Sequence, residues 1–192
     1  SYGLSEMASQ VCTGIPAAPG VVGSPLPGRE VRVADGEIQV RGDTLFSGYL
    51  NEGVVDAALN EEGWFATRDK GHFTPQGALV VEGRLDNGFI SGGENIQPEA
   101  IEQRLVDHPS VAQALVVPVP HPEWGARPVA FIDWHHEPVS ECALGGWVRD
   151  ALPGFMVPDA WLAWPEGVGF KPSRKQFAAK ALAALEPAER VG

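Results

Sequence analysis

The sequence predicts an α+β fold in two successive parts: a β-rich stretch over residues 1–85 and a smaller α+β unit over residues 86–192. Three observations predict it. Residues 30–33 (EVRV) and 37–40 (EIQV) alternate polar and apolar on either side of Asp35-Gly36, which is a hairpin signature. A polar, glycine-containing break, Leu85-Asp86-Asn87-Gly88, interrupts the strand pattern. Beyond it, helical periodicity dominates over several segments. The domain boundary is placed at Leu85–Asp86.

In chain order, residues 13–28 (TGIPAAPGVVGSPLPG) read as loop. The Asp35-Gly36 hairpin follows. Val54–Leu59 is expected to form a short helix, and Phe65 and Ala78–Val81 to lie in further strands. In the second part a helix begins at Pro98, whose missing N–H costs nothing at the first helical position. Glu99 complements the positive helix end, and Ile101 and Leu105 share a face. His108-Pro109 ends it. VAQALVVPV (111–119) and VAFIDW (129–134) read as strands. Cys142–Leu152 reads as a helix weakened by Gly145 and Gly146. The last helix carries capping-box spacing at Ser173 and Gln176, with Phe177, Ala181, Leu182 and Leu185 on one face.

Composition narrows the functional classes. The chain has 192 residues, 44% of them hydrophobic and 20% charged, as globular chains have. The formal net charge is -11, shared as -5 over residues 1–85 and -6 over the rest. That argues against a nucleic acid or an anionic membrane as partner. Cys12 and Cys142 fit no metal-ligand spacing, and the expected setting is reducing and cytoplasmic. No apolar run reaches the roughly 20 residues of a membrane-spanning helix, and no signal peptide is visible. Phosphate-loop, dinucleotide and nucleophile-elbow patterns are absent from the sequence.

Four segments carry candidate chemistry, each with two readings. YGLSE (2–6) combines an aromatic ring, a glycine, a hydroxyl and a carboxylate. This set is suited to a base, a close backbone approach, a phosphate oxygen and magnesium; the other reading is a frayed terminus. In GWFATRDKGHF (63–73), Asp69 is either the acceptor of both ribose hydroxyls or an ordinary turn aspartate. In GRLDNGFISGGENIQPEAIE (83–102), Arg84 can donate to ribose or phosphate oxygens. Gly92-Gly93 can admit a thin ligand, or simply turn the chain before a helix. In GFKPSRKQF (169–177), Lys171 is either a phosphate-reaching point charge or an exposed lysine. His121, the His135-His136 pair and the six tryptophans are read as surface or packing residues.

Taken in order, these segments resemble the adenylate-forming acyl-CoA synthetases. That family carries an aromatic-Gly-x-Ser/Thr-Glu segment, a Gly-Trp-x-x-Thr-x-Asp segment, a Gly-Arg-x-Asp hinge and a late Lys-x-x-Arg loop. GEIQVRGDTLFSGYL (36–50) and HPSVAQALVVPVPHPEWGARPVAF (108–131) resemble its linking segments, so the resemblance covers essentially the whole chain. It implies that residues 1–85 are the β-rich end of the large AMP-binding core domain and residues 86–192 the small mobile lid. It also implies ATP, magnesium and coenzyme A as cofactors or co-substrates, and an aromatic carboxylic acid as substrate. Homo-oligomerisation stays open.

Position by position, the resemblance implies that Tyr2 stacks on adenine beside Gly3, Ser5 bonds the α-phosphate and Glu6 binds magnesium. Asp69 holds the ribose with help from Arg84, and Asp86 is the hinge. Gly92 and Gly93 border the path of the coenzyme A thiol. Lys171 bridges the phosphate and the attacking carboxylate, because Lys171–Arg174 matches the late Lys-x-x-Arg pattern. Two positions depart from the family: Phe170 stands for the usual glycine before the lysine, and Arg68 for the usual glycine before the ribose aspartate. The family's large N-terminal portion, with its Ser/Thr/Gly-rich phosphate loop, has no counterpart here. The chain is therefore expected to be the C-terminal part of a longer ligase, inactive alone. The alternatives are another acyl- or aryl-CoA synthetase, a non-catalytic lid-like accessory module, or a luciferase-like oxidase of an adenylate.

Overall fold

A computed structural model describes residues 1–15, 17–169 and 172–185 of the chain. The fold is α+β, and it divides into two compact units, Ser1–Asp86 and Asn87–Gly192.

The first unit is antiparallel β structure. Its strands are β1 (Tyr2–Leu4), β2 (Ser9–Thr13), β3 (Val21–Pro25), β4 (Arg29–Ala34), β5 (Glu37–Gly42), β6 (Tyr49–Asn51), β7 (Val54–Asp56), β8 (Phe65–Phe73) and β9 (Leu79–Arg84). Seven of them form one sheet in the order β1-β2-β3-β9-β8-β5-β4, and β6 and β7 pair separately. The β4–β5 hairpin turns as its sequence dictates: Asp35 and Gly36 have φ of 51° and 81°, and Ala34 pairs with Glu37. Two left-handed residues match the right-handed twist of the strands they join. Met7, Val11, Cys12, Ile38, Val40, Phe65 and Leu79 make the core. The guanidinium groups of Arg32 and Arg41 lie over the Trp64 ring, 4.6 and 4.5 Å from its centroid.

The expected helix at Val54–Leu59 is instead strand β7. It forms a hairpin with β6 through Glu52 and Gly53, whose φ values are 49° and 84°. The physical reason is local: Glu52-Gly53 accepts the double left-handed turn, and the β-branched pair Val54-Val55 favours extended backbone. Strand β3 also lies inside the stretch read as loop.

The second unit contains β10 (Phe89–Ser91), β11 (Glu94–Ile96), α1 (Pro98–Val106), β12 (Val111–His121), β13 (Gly125–Trp134), α2 (Glu141–Arg149), β14 (Ala160–Ala163) and α3 (Arg174–Leu185). β12 and β13 pair antiparallel, and β14 adds parallel to β13. This three-stranded sheet is covered on both faces, which is why its strands read as near-continuous apolar runs. Val116, Ala130 and Ile132 face Ile101 and Leu105 of α1 and Leu144 and Val148 of α2. Leu115, Val117, Val129 and Phe131 face Phe177 and Ala181 of α3. The alternation is the two-residue period of a strand.

Ser140 caps α2, its hydroxyl accepting from the Ala143 N–H at 3.2 Å. The expected buried stripe of α3 holds at Phe177 and Ala181 but not beyond, since Leu182 and Leu185 are 39% and 41% exposed. The β10–β11 hairpin and β14 do not follow from the sequence pattern.

Candidate active site

In the first unit, a 3-10 turn at Ser5–Met7, the start of β6, the middle of β8 and the end of β9 line a cleft of about 320 Å³ with Glu6, Tyr49, Thr67, Arg68, Asp69 and Arg84. Asp69 is fixed from two sides. The Tyr2 hydroxyl donates to its Oδ2 at 2.6 Å, and Arg84 Nη1 donates to its Oδ1 at 3.2 Å. Thr67 sets the backbone beneath it. Its buried Oγ1 donates to the Ile38 carbonyl at 2.7 Å and accepts from the Asp69 N–H at 3.1 Å. Arg84 Nη1 also reaches the Thr67 carbonyl at 3.1 Å.

A carboxylate offers about four lone-pair directions. Tyr2 and Arg84 occupy two at Asp69, which leaves capacity for two further donors. A ribose offers two hydroxyls in that arrangement.

Burial, and then the Asp69 carboxylate, push the Tyr2 phenol well above its ordinary range, so it stays a donor. Burial works against the Arg84 charge, but Asp69 and Asp86 outweigh it and raise the guanidinium above its ordinary value. Burial likewise disfavours the Asp86 charge; its own backbone N–H, Arg84 and Arg68 win, and the carboxyl lies below the usual range. Asp86 sits in a short 3-10 turn, Leu85–Asn87, with Oδ1 3.4 Å from Arg84 Nε and Oδ2 3.9 Å from Arg68 Nε.

Arg68, where the family has glycine, keeps a glycine-like backbone with φ of 62°. Its N–H donates to Glu37 Oε1 at 2.8 Å. A non-glycine residue held there stores strain of about 1 kcal/mol, next to the residue that fixes the site.

The other sequence candidates separate. Glu6 lines the cleft, and its Oε1 accepts from the Tyr49 hydroxyl at 2.8 Å. Tyr2 is half-buried, its ring packed on the first unit's core. Gly3 and Ser5 line a neighbouring shallow groove on the far side of Leu4. Gly3 has a structural reason to be glycine: a Cβ there would lie 2.4 Å from the Ser9 carbonyl oxygen across the β1–β2 pair. Gly92 and Gly93 form the two-residue turn of the β10–β11 hairpin, with φ of 58° and 87°. A Cβ on Gly92 would meet the Trp124 indole at 2.8 Å. Gly92, with Ser91 and Glu94 on either side of the turn, lines a second cleft of about 320 Å³, within the second unit. Lys171 lies outside the described residues.

Arg174 starts α3. Its Nη1 donates to Glu102 Oε1 and to the Val116 carbonyl, both at 2.5 Å. Its Nη2 reaches Glu102 Oε2 at 3.2 Å and Glu99 Oε1 at 3.3 Å. The arginine of the Lys-x-x-Arg pattern thus ties the start of α3 to α1 and β12.

Sequence reasoning missed Tyr49 and Thr67. Thr67 lies inside the GWFATRD segment, and a hydroxyl two residues before Asp69 is the signal that points to it. Tyr49 stands 43 residues from Glu6 and carries no local signal.

The α+β fold of the chain matches the C-terminal parts of solved adenylate-forming enzymes. Residues 100–166 match the AMP-binding enzyme C-terminal domain, and that part of the chain is a domain of this family. The segments YGLSEMASQVC, VGSPLPGREV, GWFATRDKG and GRLDNGFISGGENIQPE resemble those of o-succinylbenzoate–CoA ligase. Accordingly, the chain is 45% identical over 177 residues to 2-succinylbenzoate–CoA ligase from Salmonella typhimurium and to that from Escherichia coli. In each case the match covers 91% of this chain and 38% of the relative, so the chain spans well under half the length of these relatives.

Solved structures agree. An E. coli MenE variant with bound OSB-AMS matches with a TM-score of 0.84 and 42% identity, over 94% of this chain and 39% of that one. The o-succinylbenzoate CoA synthetase (MenE) from Bacillus subtilis, in complex with the acyl-adenylate intermediate OSB-AMP, matches with a TM-score of 0.81 and 31% identity, over 92% and 40%.

Proposed function

We propose that this chain forms part of an AMP-forming acid–thiol ligase that joins 2-succinylbenzoate to coenzyme A through an acyl-adenylate, a step of menaquinone biosynthesis. The observation that carries the reading is the cleft where Glu6, Asp69 and Arg84 converge, in a chain 45% identical to such ligases.

In the first half-reaction a substrate carboxylate oxygen attacks the α-phosphorus of ATP, and the bond to pyrophosphate breaks. In the second, the coenzyme A thiol loses its proton, its sulfur bonds the acyl carbon, and AMP leaves with the former carboxylate oxygen. Catalysis here is positioning plus charge stabilisation by groups already in place. Asp69 accepts the ribose hydroxyls, held in orientation by Tyr2 and Arg84. The Tyr2 ring offers its face to adenine. Ser5 donates to the α-phosphate, and Lys171 bridges that phosphate and the attacking carboxylate.

Glu6 fits magnesium: it is a hard carboxylate, oriented by Tyr49, and magnesium binds through one or two carboxylates together with substrate phosphates. Magnesium held there would offset charge on the phosphate oxygens. Asp86 serves as the hinge between core and lid, and Gly92 and Gly93 border the thiol's path. Two free cysteines and ATP and coenzyme A as co-substrates go with a cytoplasmic setting.

A substrate panel in a pyrophosphate-exchange assay, on the ligase that contains this chain, tests the acid. 2-Succinylbenzoate should exceed other aryl and alkyl acids by about tenfold or more in kcat/KM; preference for another acid would establish the related-synthetase alternative. Lys171→Ala should lower adenylation by about a hundred- to a thousand-fold, as for loss of a positioned donor. Adenylation at the wild-type rate would favour the accessory-module alternative. The isolated 192 residues should not turn over, because much of the acid pocket is assigned to the remainder of the ligase.

A further inference from the structure

Arg127 lies at the start of β13 with its side chain 15% exposed, and all five of its guanidinium N–H groups find acceptors inside the second unit. Nε donates to Asp159 Oδ2 at 2.8 Å and Nη2 to Asp159 Oδ1 at 2.7 Å, a bidentate pair. Nη2 also reaches the Val157 carbonyl at 3.2 Å. Nη1 donates to the Phe155 carbonyl at 2.7 Å and to Ser91 Oγ at 3.1 Å. Asp159 is itself tied to β13, its N–H donating to the Pro128 carbonyl at 2.9 Å. Ser91 is one of the few buried polar residues among those described, 2% exposed, and it immediately precedes Gly92. The Gly92 N–H donates to the Trp124 carbonyl at 2.9 Å.

The Gly92-Gly93 turn therefore has two anchors: the Trp124 carbonyl and, through Ser91, the Arg127 guanidinium. Among the described residues, Arg127 is the only cation on the cleft that the turn borders, and its donors are already saturated. Its role there is to hold backbone, not to receive a ligand's charge.

We infer that Arg127, locked by Asp159, is a positioning residue for thioester formation. It fixes the Ser91–Glu94 turn so that Gly92 and Gly93 keep the thiol's path open. The inference rests on the ligase reading above. The cluster lies wholly within the second unit and shares no residue with the nucleotide cleft of the first, so the two half-reactions should respond differently. Losing charge-assisted bonds at this site should slow thioester formation by about 10- to 100-fold or raise the apparent KM for coenzyme A by as much.

The test uses the ligase carrying this chain, with Arg127→Met, Arg127→Lys and Ser91→Ala. Rapid-quench measurements follow pyrophosphate release without coenzyme A, then thioester formation from the accumulated adenylate. Hydrogen exchange is read over residues 89–96. The expected result is pyrophosphate release within twofold of wild type, the thioester step slowed most in Arg127→Met, less in Arg127→Lys and least in Ser91→Ala, and exchange over 89–96 accelerated about tenfold in Arg127→Met. Equal loss of both steps, or an unchanged thioester step, overturns the inference. If Arg127→Met does not fold, Arg127→Lys and Ser91→Ala decide the matter in the same way. If the wild-type ligase forms no thioester, the ligase reading fails, while unaltered exchange over 89–96 would by itself refute the anchoring.

Discussion

Replacing Tyr2 with Phe removes one oxygen and nothing else, the hydroxyl that donates to Asp69 at the cleft of the first unit. The ring keeps its packing on the first unit's core, but Asp69 loses the 2.6 Å bond to its Oδ2. A hydrogen bond to a charged group contributes about 1.5–3 kcal/mol, and Asp69 retains Arg84 on its other oxygen. At about 1.4 kcal/mol per tenfold, that converts to roughly 10- to 150-fold faster opening. Asp69 lies on β8 and pairs with Arg84 of β9, so hydrogen exchange of peptides covering these two strands reads the effect directly.

The pH dependence carries a sign. The Tyr2 phenol is raised above its ordinary 10.0 in the folded chain, so the folded state holds this proton more tightly than the unfolded one. The stabilisation is complete below pH 10 and is lost as pH rises through the folded value. Tyr2→Phe should therefore be less stable than wild type at neutral pH and show a shallower decline above pH 10. In the full ligase the same variant should raise the apparent KM for ATP several-fold, because Asp69 loses one of its two orienting donors. Exchange in β8 and β9 within twofold of wild type, with an identical alkaline decline, would refute the reasoning.

Arg174→Ala should destabilise the second unit by about 2–3 kcal/mol, since it leaves Glu102, 16% exposed, without its bidentate partner. Urea unfolding followed by tryptophan fluorescence would show it, five of the six tryptophans being in that unit. Arg174→Lys should recover little, because an ammonium cannot span Glu99, Glu102 and the Val116 carbonyl. Iodoacetamide at pH 8 should modify Cys142, which is exposed, and spare Cys12, whose thiol is inaccessible and pushed up to about 11 by burial; two rapid adducts in the intact mass would contradict this. Asp86→Pro should impair the thioester step more than adenylation, and equal loss in rapid-quench measurements would count against a hinge there.

Much of the fold is legible wherever a local signal is sufficient. Asp35-Gly36 announces its hairpin, Pro98 starts its helix, and the apolar runs at 111–119 and 129–134 become a sheet buried on both faces. Residues 54–59 mislead because Val54, Val55, Ala58 and Leu59 imitate helical spacing, while the deciding feature is the left-handed pair Glu52-Gly53 just before them. Strand β14 is four residues long and carries no period of its own; it exists because β13 offers a parallel edge. In the site, motif order alone brings forward Glu6, Asp69 and Arg84, which the fold gathers at one cleft. The hydroxyl bonds of Tyr2 to Asp69 and Tyr49 to Glu6 span 67 and 43 residues. Such pairings join segments far apart in the chain, which no short window of sequence encodes.

The most direct test of the central claim is a single-turnover reaction of the ligase carrying this chain with 2-succinylbenzoate, coenzyme A and ATP labelled at the α-phosphate. The account predicts a transient acyl-adenylate, followed by equal amounts of labelled AMP and 2-succinylbenzoyl-CoA. Labelled ADP in place of AMP, or adenylate that never passes to the thiol, would contradict it.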